Sequence, residues 1–281
     1  MRPSPATDPF RLIDAGEALA ASRIEAGARL RFSVAQALVQ GRVTFHFQPV
    51  VRADRPGFPA FFEMLARLQL PTGEVLGAGA FLPQVEQGPL GRVIDRLALS
   101  EALAALAADP TLRLSVNMSP LSMGDEEWLG ILAAAHRGGT GVCGRLILEI
   151  TETAAMDDAA QTIDFMDHVR RMGPAFAIDD FGAGTTGFRH FRDFRFDMVK
   201  IDGSFTDGVH HSPDKRVLME CLLRLARHFE MIAVAERVEH EADAAWLRDA
   251  GVDCLQGYLY GRPASRAEMP ATGAAPRSAA G

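Results

Sequence analysis

Polar residues stand at or near the ends of most of the short apolar segments of this chain. These residues are Glu63, Asn117, Glu149, Asp179, Asp180, Lys200, Asp202, Glu236 and Gln256. Carboxylates that converge on one place repel one another and take up protons unless positive charge lies between them. Oxygen ligands without histidine or cysteine favour Mg²⁺ or Mn²⁺ over Zn²⁺. If the fold brings these side chains together, the sequence predicts a site for hard divalent cations.

The adjacent acids Asp179 and Asp180 indicate two ions, because one carboxylate can bridge both ions while its neighbour binds the second. Two ions ~3.5–4 Å apart can hold an attacking hydroxide and a leaving oxygen for displacement at phosphorus. Lys200 would orient the water or stabilise charge on the phosphate. Taken singly, such residues also fit a turn at Asn117 or a helix cap at Asp179. The recurrence of the pattern on successive segments favours a common site.

Short β-rich segments alternate with amphipathic helical segments, the pattern typical of βα units around a parallel sheet. The predicted strands are Val43–Val51, Phe61–Leu65, Arg113–Asn117, Leu146–Ile150, Phe176–Asp180, Met198–Ile201, Ile232–Glu236 and Cys254–Gly257. The predicted helices are Val93–Ala108, Glu126–His136, Ala159–Met172, Lys215–Phe229 and Glu241–Ala250. This order indicates an α/β fold, a TIM-type (β/α)8 barrel, although an open sheet of eight strands would give the same local pattern. In a barrel the polar strand ends would meet at one mouth.

The two ends of the chain differ in composition from this alternating region. Residues 1–27 form a predicted N-terminal extension that is partly helical, and residues 28–263 form the predicted barrel domain. Residues 264–281 are rich in Ala, Pro, Gly and Ser, a composition that cannot offset its own ordering entropy. We therefore expect this C-terminal tail to be disordered.

Charge and cysteine content narrow the class of protein. The formal net charge of −7 argues against binding of DNA or RNA polymers, which depends on basic residues. The three cysteines lie far apart and lack C-x-x-C spacing, which fits a reducing cytoplasm. No segment approaches the ~20 apolar residues that span a bilayer. We expect a cytoplasmic protein without direct membrane insertion.

Several motifs, taken in order, resemble one known family. They are Phe47-Gln48-Pro49-Val50, Glu63-Met64-Leu65-Ala66-Arg67, Val116-Asn117-Met118-Ser119, Leu148-Glu149-Ile150-Thr151-Glu152, Ile178-Asp179-Asp180-Phe181-Gly182-Ala183-Gly184, Val199-Lys200-Ile201-Asp202, Ala235-Glu236-Arg237-Val238-Glu239 and Gln256-Gly257-Tyr258-Leu259-Tyr260-Gly261-Arg262-Pro263. Each motif by itself is weak, but in this order they are highly specific. From about Arg31 to Pro263 the chain resembles the EAL domains, a family of cyclic di-GMP phosphodiesterases.

The resemblance implies a barrel hydrolase that binds cyclic di-GMP and cuts one phosphodiester bond to give linear pGpG. It places a first Mg²⁺ or Mn²⁺ ion on Glu63, Asn117, Glu149 and Asp179, and a second ion on Asp179, Asp180 and Glu236. It assigns catalytic roles to Lys200, Glu236 and Asp202, with Lys200 on the nucleophilic water. It assigns contacts with the ligand to Gln48, Arg67 and Gln256. Glu152 would brace the loop that follows the strand containing Asp179.

Three positions depart from the family pattern. Met64 replaces the alanine of the family name, but the neighbour of an inward-facing strand residue points to the other face of the sheet. Thr185-Thr186-Gly187 replaces Tyr-Ser-Ser in a loop that links metal binding to dimerisation in relatives. Arg237 replaces a glycine directly after Glu236, where its guanidinium would pair with that carboxylate or crowd the site.

These departures keep a second function open, a catalytically inactive EAL-like receptor for cyclic di-GMP or a protein-interaction module. A third function, that of an unrelated barrel metalloenzyme, matches the acidic residues but not the order of the motifs. The resemblance also leaves a homodimer and a regulatory protein partner as open alternatives.

Overall fold

The computed structural model describes residues 25–182 and 194–269. The strands are β1 (Val43–Arg52), β2 (Arg55–Gln69), β3 (Val75–Gly77), β4 (Leu114–Asn117), β5 (Leu146–Thr151), β6 (Ala175–Phe181), β7 (Met198–Ile201), β8 (Ile232–Ala235) and β9 (Cys254–Gln256). The helices are α1 (25–39), α2 (Ala78–Phe81), α3 (Pro89–Ala108), α4 (Glu126–Arg137), α5 (Glu152–Asp157), α6 (Ala159–Arg170), α7 (Gly203–Thr206), α8 (Pro213–His228) and α9 (Glu241–Ala250). Helices α3 and α8 begin earlier than predicted, at prolines, because proline is favoured in the first turn of a helix.

The strands close into a barrel in the order β1, β2, β4, β5, β6, β7, β8, β9 and back to β1. Strand β3 lies outside the ring, paired only with β2. The α/β barrel predicted from the sequence is therefore confirmed over the open sheet. Strand β1 is antiparallel to both of its neighbours, whereas the other strands of the ring are parallel. A hairpin permits this arrangement, since antiparallel strands need only a short connection.

The interior of the barrel has an apolar layer beneath a polar layer. The apolar layer is a buried cluster formed by Val50, Phe61, Ile147, Ala177, Met198, Val234 and Cys254. Side chains alternate between the two faces of a strand, so the residue two positions away points into the same interior. Those residues are Gln48, Glu63, Glu149, Asp179, Lys200, Glu236 and Gln256. The alternation therefore assembles these seven side chains into one layer at the mouth.

Met64 illustrates the opposite face of the strands. It is buried and belongs to the large hydrophobic cluster between the barrel and its surrounding helices. Its neighbour Glu63 lies in the interior layer instead. The prediction that Met64 points away from the site is confirmed, so the larger side chain leaves the carboxylate layer undisturbed.

The segment after the barrel departs from the composition-based expectation. Ala264 forms a backbone bridge with Phe47 of β1, and Ser265 and Glu268 form a capping box at a short 3-10 helix. The expectation of disorder from residue 264 is therefore wrong through Met269, because backbone pairing and capping offset the ordering entropy there. The rest of the tail and residues 1–24 lie outside the described residues, so their assignments stay predictions.

Among the residues that the structure describes, none of the helices combines the length and the apolar character that crossing a bilayer requires.

Candidate functional site

Lys200 occupies the centre of the polar layer at the end of β7. It is almost fully buried, with 1% of its surface exposed. Its Nζ lies 2.7 Å from Glu149 Oε2, 2.8 Å from Asp179 Oδ1, 2.8 Å from Glu236 Oε1 and 3.5 Å from Glu63 Oε2. One ammonium therefore faces four carboxylates from four different strand ends, and the negative charge of the cluster exceeds its positive charge.

Amide side chains hold the Glu63 carboxylate at both oxygens. Asn117 Nδ2 donates to Glu63 Oε1 over 3.0 Å, and Gln256 Nε2 donates to Glu63 Oε2 over 2.5 Å. Gln256 Nε2 also lies 3.4 Å from Gln48 Oε1, while Gln48 Nε2 donates to the carbonyl of Gly261. Within the described residues, Gln256 Oε1 has no hydrogen-bond partner and can face a cation.

Asp180 reaches the same site through an irregular backbone. Successive residues of a regular strand point to opposite faces. The pairing of β6 with β7 is irregular between Ile178 and Phe181, and Asp180 has a left-handed φ of 53°. As a result, Asp179, Asp180 and Glu236 each offer an oxygen within 4.8 Å of the others, a spacing that can hold a metal ion.

The acidity of these groups reflects burial and mutual repulsion. Burial raises the pKa of Glu149 well above its ordinary value, and the Lys200 ammonium only partly opposes this effect. Burial also raises the pKa of Glu236 to about 8, with repulsion from Asp179 and Glu63 acting in the same direction. Burial lowers the pKa of Lys200, but the surrounding carboxylates outweigh that effect and raise it well above the usual value. The cluster lacks positive charge, which divalent cations would supply.

The donor set of the cluster fits a hard divalent cation. Within the described residues, Glu149 Oε1 and Gln256 Oε1 are buried and have no hydrogen-bond partner. An unpartnered buried carboxylate oxygen is unfavourable, and a bound cation would remove this penalty. Carboxylate and amide oxygens are the ligands that Mg²⁺ and Mn²⁺ prefer. The predicted metal ligands Glu63, Asn117, Glu149, Asp179, Asp180 and Glu236 are thus brought together.

A cavity of about 540 Å³ opens beside the carboxylates. Glu63, Asn117, Asp179 and Asp180 line one of its sides. Arg67 lies on β2 beyond Glu63 and is half-buried, and burial lowers the pKa of its guanidinium while Tyr258 and Glu63 raise it. The cavity therefore offers a small molecule direct access to the oxygen ligands.

Asp202 and Glu152 occupy supporting positions outside the Lys200 cluster. Asp202 Oδ1 accepts from Ser204 N over 2.9 Å and so caps α7, and among the described ion pairs it is not a partner of Lys200. Buried Glu152 accepts from the backbone N–H of Gly182, the last described residue before the gap. This contact is the geometry expected of a residue that braces the loop after β6. The segment Thr185-Thr186-Gly187 lies outside the described residues.

Arg237 does not form the predicted ion pair with Glu236. Within the part of the chain that the structure describes, the ion pair of Glu236 is with Lys200. Arg237 is exposed, and its aliphatic chain occupies the space in front of Gly203. The stem of Arg237 therefore packs on the residue that begins α7, next to Asp202.

Asp95 on α3 also supports the site, although its role was not predicted from the sequence. Its carboxylate accepts from Ser119 N over 2.9 Å and from Ser122 Oγ over 2.7 Å, and so holds the loop that follows Asn117. Burial raises the pKa of Asp95, while these donors oppose the shift. The available signal was a charged residue beside Ile94 on the otherwise apolar buried face of α3.

Without divalent ions, the free energy of unfolding should fall as the pH rises from about 5 to about 8. The pKa of Glu236 in the folded state is about 8, above its ordinary value of 4.5. A carboxyl whose pKa is raised by folding stabilises the fold below its unfolded pKa, and that contribution disappears as the pH passes the folded value. Mg²⁺ favours the ionised carboxylates, so its stabilising effect should be larger at about pH 8 than at about pH 6.

Thermal melting in EDTA and in Mg²⁺ across this pH range would measure both effects, with Glu236→Gln as the comparison variant. A melting temperature in EDTA that stays constant from about pH 5 to about pH 8 would contradict the predicted protonation of the cluster.

Comparison with known proteins agrees with this geometry. A model of the EAL domain matches residues 32–263. An uncharacterized signaling protein of Caulobacter vibrioides is 35% identical over 233 residues, which are 82% of this chain and 28% of that protein. The cyclic di-GMP phosphodiesterase NbdA of Pseudomonas aeruginosa is 30% identical over 234 residues, which are 81% of this chain and 30% of NbdA. The chain thus spans less than a third of these curated relatives.

A solved structure described as PaMucR phosphodiesterase in a complex with c-di-GMP has the same fold, with a TM-score of 0.79 and 29% sequence identity. The match covers 86% of this chain and 100% of the chain in the PaMucR structure. The family match extends over most of the sequence and includes every strand of the barrel. This chain belongs to the EAL domain family.

Proposed function

We propose that the protein is a metal-dependent phosphodiesterase that hydrolyses cyclic di-GMP to linear pGpG. The observation that carries the proposal is the convergence of carboxylates from β2, β5, β6 and β8 on Lys200, beside an open cavity. Relatives named cyclic di-GMP phosphodiesterases and a structural neighbour in complex with c-di-GMP support the same substrate.

The carboxylate layer would hold two Mg²⁺ or Mn²⁺ ions. The family pattern places one ion among Glu63, Asn117, Glu149 and Asp179, and the other among Asp179, Asp180 and Glu236. The second set coincides with the three carboxylates whose oxygens lie within 4.8 Å of one another. When bound, the ions supply an activated water and stabilise charge on the phosphate and on the leaving oxygen.

The side chains orient the reacting groups. Lys200 fixes three carboxylates through its ammonium and, once ions neutralise part of their charge, can donate to the attacking water or to a phosphate oxygen. Gln48, Arg67 and Gln256 stand on the β1, β2 and β9 side, where they would hold the nucleotide. Asp202 and Glu152 act indirectly, through the start of α7 and the loop after β6.

The proposed reaction is a single displacement at phosphorus. The oxygen of one water forms a new P–O bond, the bond from phosphorus to one ribose O3′ breaks, and a proton reaches that O3′. The product keeps one intact phosphodiester and one terminal 5′-phosphate, which is pGpG. The side chains of the carboxylate layer are buried, so electrostatic interactions with bound ions would be stronger there than in bulk water.

Incubation of the purified protein with cyclic di-GMP and Mg²⁺ or Mn²⁺ tests the function, with pGpG separated by chromatography. We expect turnover by the wild type, loss upon addition of EDTA, and loss in Glu63→Gln, which keeps the shape of the side chain but removes its charge. Glu220→Gln, an exposed glutamate of α8, is the matched control and should retain full activity. Absence of product with all of these metals would exclude the enzyme.

A receptor that binds cyclic di-GMP without cleaving it is the second candidate. The observation that favours it is Arg237, which stands in a left-handed conformation where the family pattern has glycine. Equilibrium binding without product formation in the same assay would support the receptor, and binding together with product would support the enzyme.

The cellular location and the partners of the protein are also matters of inference. We infer a cytoplasmic location, because the three cysteines are free thiols and two of them, Cys143 and Cys254, are buried. A homodimer and a regulatory protein partner stay predictions from the family resemblance.

A further inference from the structure

The backbone at Arg237 is held in an unfavourable conformation from both sides. Its φ is 52°, in the left-handed region that residues with a Cβ rarely adopt. Before it, Glu236 N donates to the Ile201 carbonyl, and Thr206 Oγ1 donates to the Glu236 carbonyl. After it, Val238 N donates to the carbonyl of Gln256. These contacts fix the direction in which the Arg237 side chain leaves the backbone.

The Arg237 stem lies on Gly203, the first residue of α7. A Cβ on Gly203 would lie 2.7 Å from both Cβ and Cγ of Arg237, and still closer to its Cδ. Gly203 is buried while Arg237 as a whole remains exposed. Burial raises the pKa of Asp202, but hydrogen bonds from Ser204 and the nearby charge of Arg237 outweigh it and lower the pKa. Because Gly203 has no side chain, the aliphatic part of Arg237 can pack on it at the rim of the mouth.

Arg237 and Arg67 lie on opposite sides of the barrel mouth. Arg67 belongs to β2, whereas Arg237 follows β8 and rests on the residue that begins α7, directly beyond β7. In the ring of strands, β2 and β7 stand across from each other. The carboxylate layer occupies the space between them, so a ligand bound across the mouth meets a cation on both sides.

A cyclic dinucleotide carries two phosphates, separated by its two riboses. The carboxylate layer and its ions can take only the phosphate that reacts. The other phosphate keeps its negative charge in a mouth that is rich in carboxylates, and a guanidinium can offset this charge with two parallel hydrogen bonds. An arginine at the rim, adjacent to the reacting centre but directed away from it, suits that second phosphate.

We propose that Arg237, seated on Gly203, binds the phosphate of the cyclic dinucleotide that is not cleaved. The proposal rests on the proposed function and adds to it a binding residue where the family pattern has glycine. It assigns Arg237 to substrate affinity, and it predicts that the rate of the chemical step depends little on this residue.

Steady-state kinetics of Arg237→Ala with cyclic di-GMP and Mg²⁺ tests this role. We expect KM to rise about tenfold or more, as for loss of a charged hydrogen bond, while kcat stays within about threefold. Arg237→Lys should recover part of the affinity. Raising the salt concentration should weaken substrate binding less in Arg237→Ala than in the wild type, because one ionic contact is missing. A structural role alone would not change this salt dependence.

Gly203→Ala provides an independent variant. Its methyl group would displace the stem of Arg237, so KM should rise in the wild-type background and change little in the Arg237→Gly background, which has no side-chain atom to displace. Arg224→Ala, an exposed arginine on the outer helix α8, is the control and should keep the wild-type KM.

Equal KM values in the wild type and Arg237→Ala would overturn the proposal, as would a large rise of kcat in Arg237→Ala. If the wild type lacks turnover, equilibrium binding of cyclic di-GMP replaces KM, with the same expected difference. If the wild type neither binds nor hydrolyses cyclic di-GMP, the proposed function itself is refuted. That result differs from unaltered binding by Arg237→Ala, which would refute only the role of Arg237.

Discussion

Replacement of Lys200 by methionine should lower kcat for cyclic di-GMP by about 10²–10³-fold or more, the usual cost of removing a preorganised charged donor from an active site. Methionine fills a similar volume but leaves four carboxylates facing one another without the ammonium that contacts three of them within 2.8 Å. Breaking such a buried arrangement should also lower the free energy of unfolding in EDTA by about 3–5 kcal/mol.

The composition of the chain makes this test unusually clean. Lys200 and Lys215 are its only lysines, and arginine supplies the other basic side chains. Lys215 contacts the carbonyl of Asp207 on an outer loop, so Lys215→Met is a matched control that should retain activity. Lys200→Arg should also be inactive, because the compact ammonium fits among three carboxylates and the planar guanidinium does not.

The variants are compared by kcat and by urea denaturation in EDTA. Activity of Lys200→Met within about tenfold of the wild type would show that the lysine only offsets charge in the metal-free protein.

The site could be predicted from the sequence because it depends on strand periodicity. Each interior polar residue stands two positions from an apolar residue of the same strand, as Glu63 follows Phe61 and Lys200 follows Met198. This alternation, repeated around the ring, determines which side chains share the mouth. The order of the motifs identified the family. The roles that the family pattern assigns to single residues stay predictions.

The full length of the second strand of the first hairpin could not be predicted, since tertiary pairing overrides local signals there. Strand β2 starts at Arg55, well before the predicted Phe61, although Pro56, Gly57 and Pro59 argue against a strand. Pairing with β1, with register shifts beside Val50 and Val51, accommodates these residues. The seating of Arg237 on Gly203 was equally hidden, because it depends on a backbone angle and on a contact between distant parts of the sequence.

Asp180→Gly should change activity and stability in opposite directions. Glycine adopts a φ of 53° more readily than aspartate, and its introduction also removes one charge from a crowded acidic site. We therefore expect the free energy of unfolding in EDTA to stay equal or rise by up to about 1 kcal/mol. Turnover should nevertheless fall by about 10²-fold or more, since the set Asp179, Asp180 and Glu236 loses one oxygen ligand.

Asp180→Asn separates the two effects, because asparagine tolerates the left-handed region as aspartate does but carries no charge. Asp180→Asn should lose turnover as the glycine variant does. Its free energy of unfolding should not include the increase that the backbone freedom of glycine adds. Urea denaturation in EDTA and the pGpG assay at increasing Mg²⁺ concentrations would measure both quantities. If Asp180→Gly were less stable than the wild type but fully active, the left-handed aspartate would serve the fold and not the metal site. If Asp180→Gly were as stable as the wild type or more stable, but inactive, the unfavourable backbone at Asp180 would serve to place a ligand oxygen.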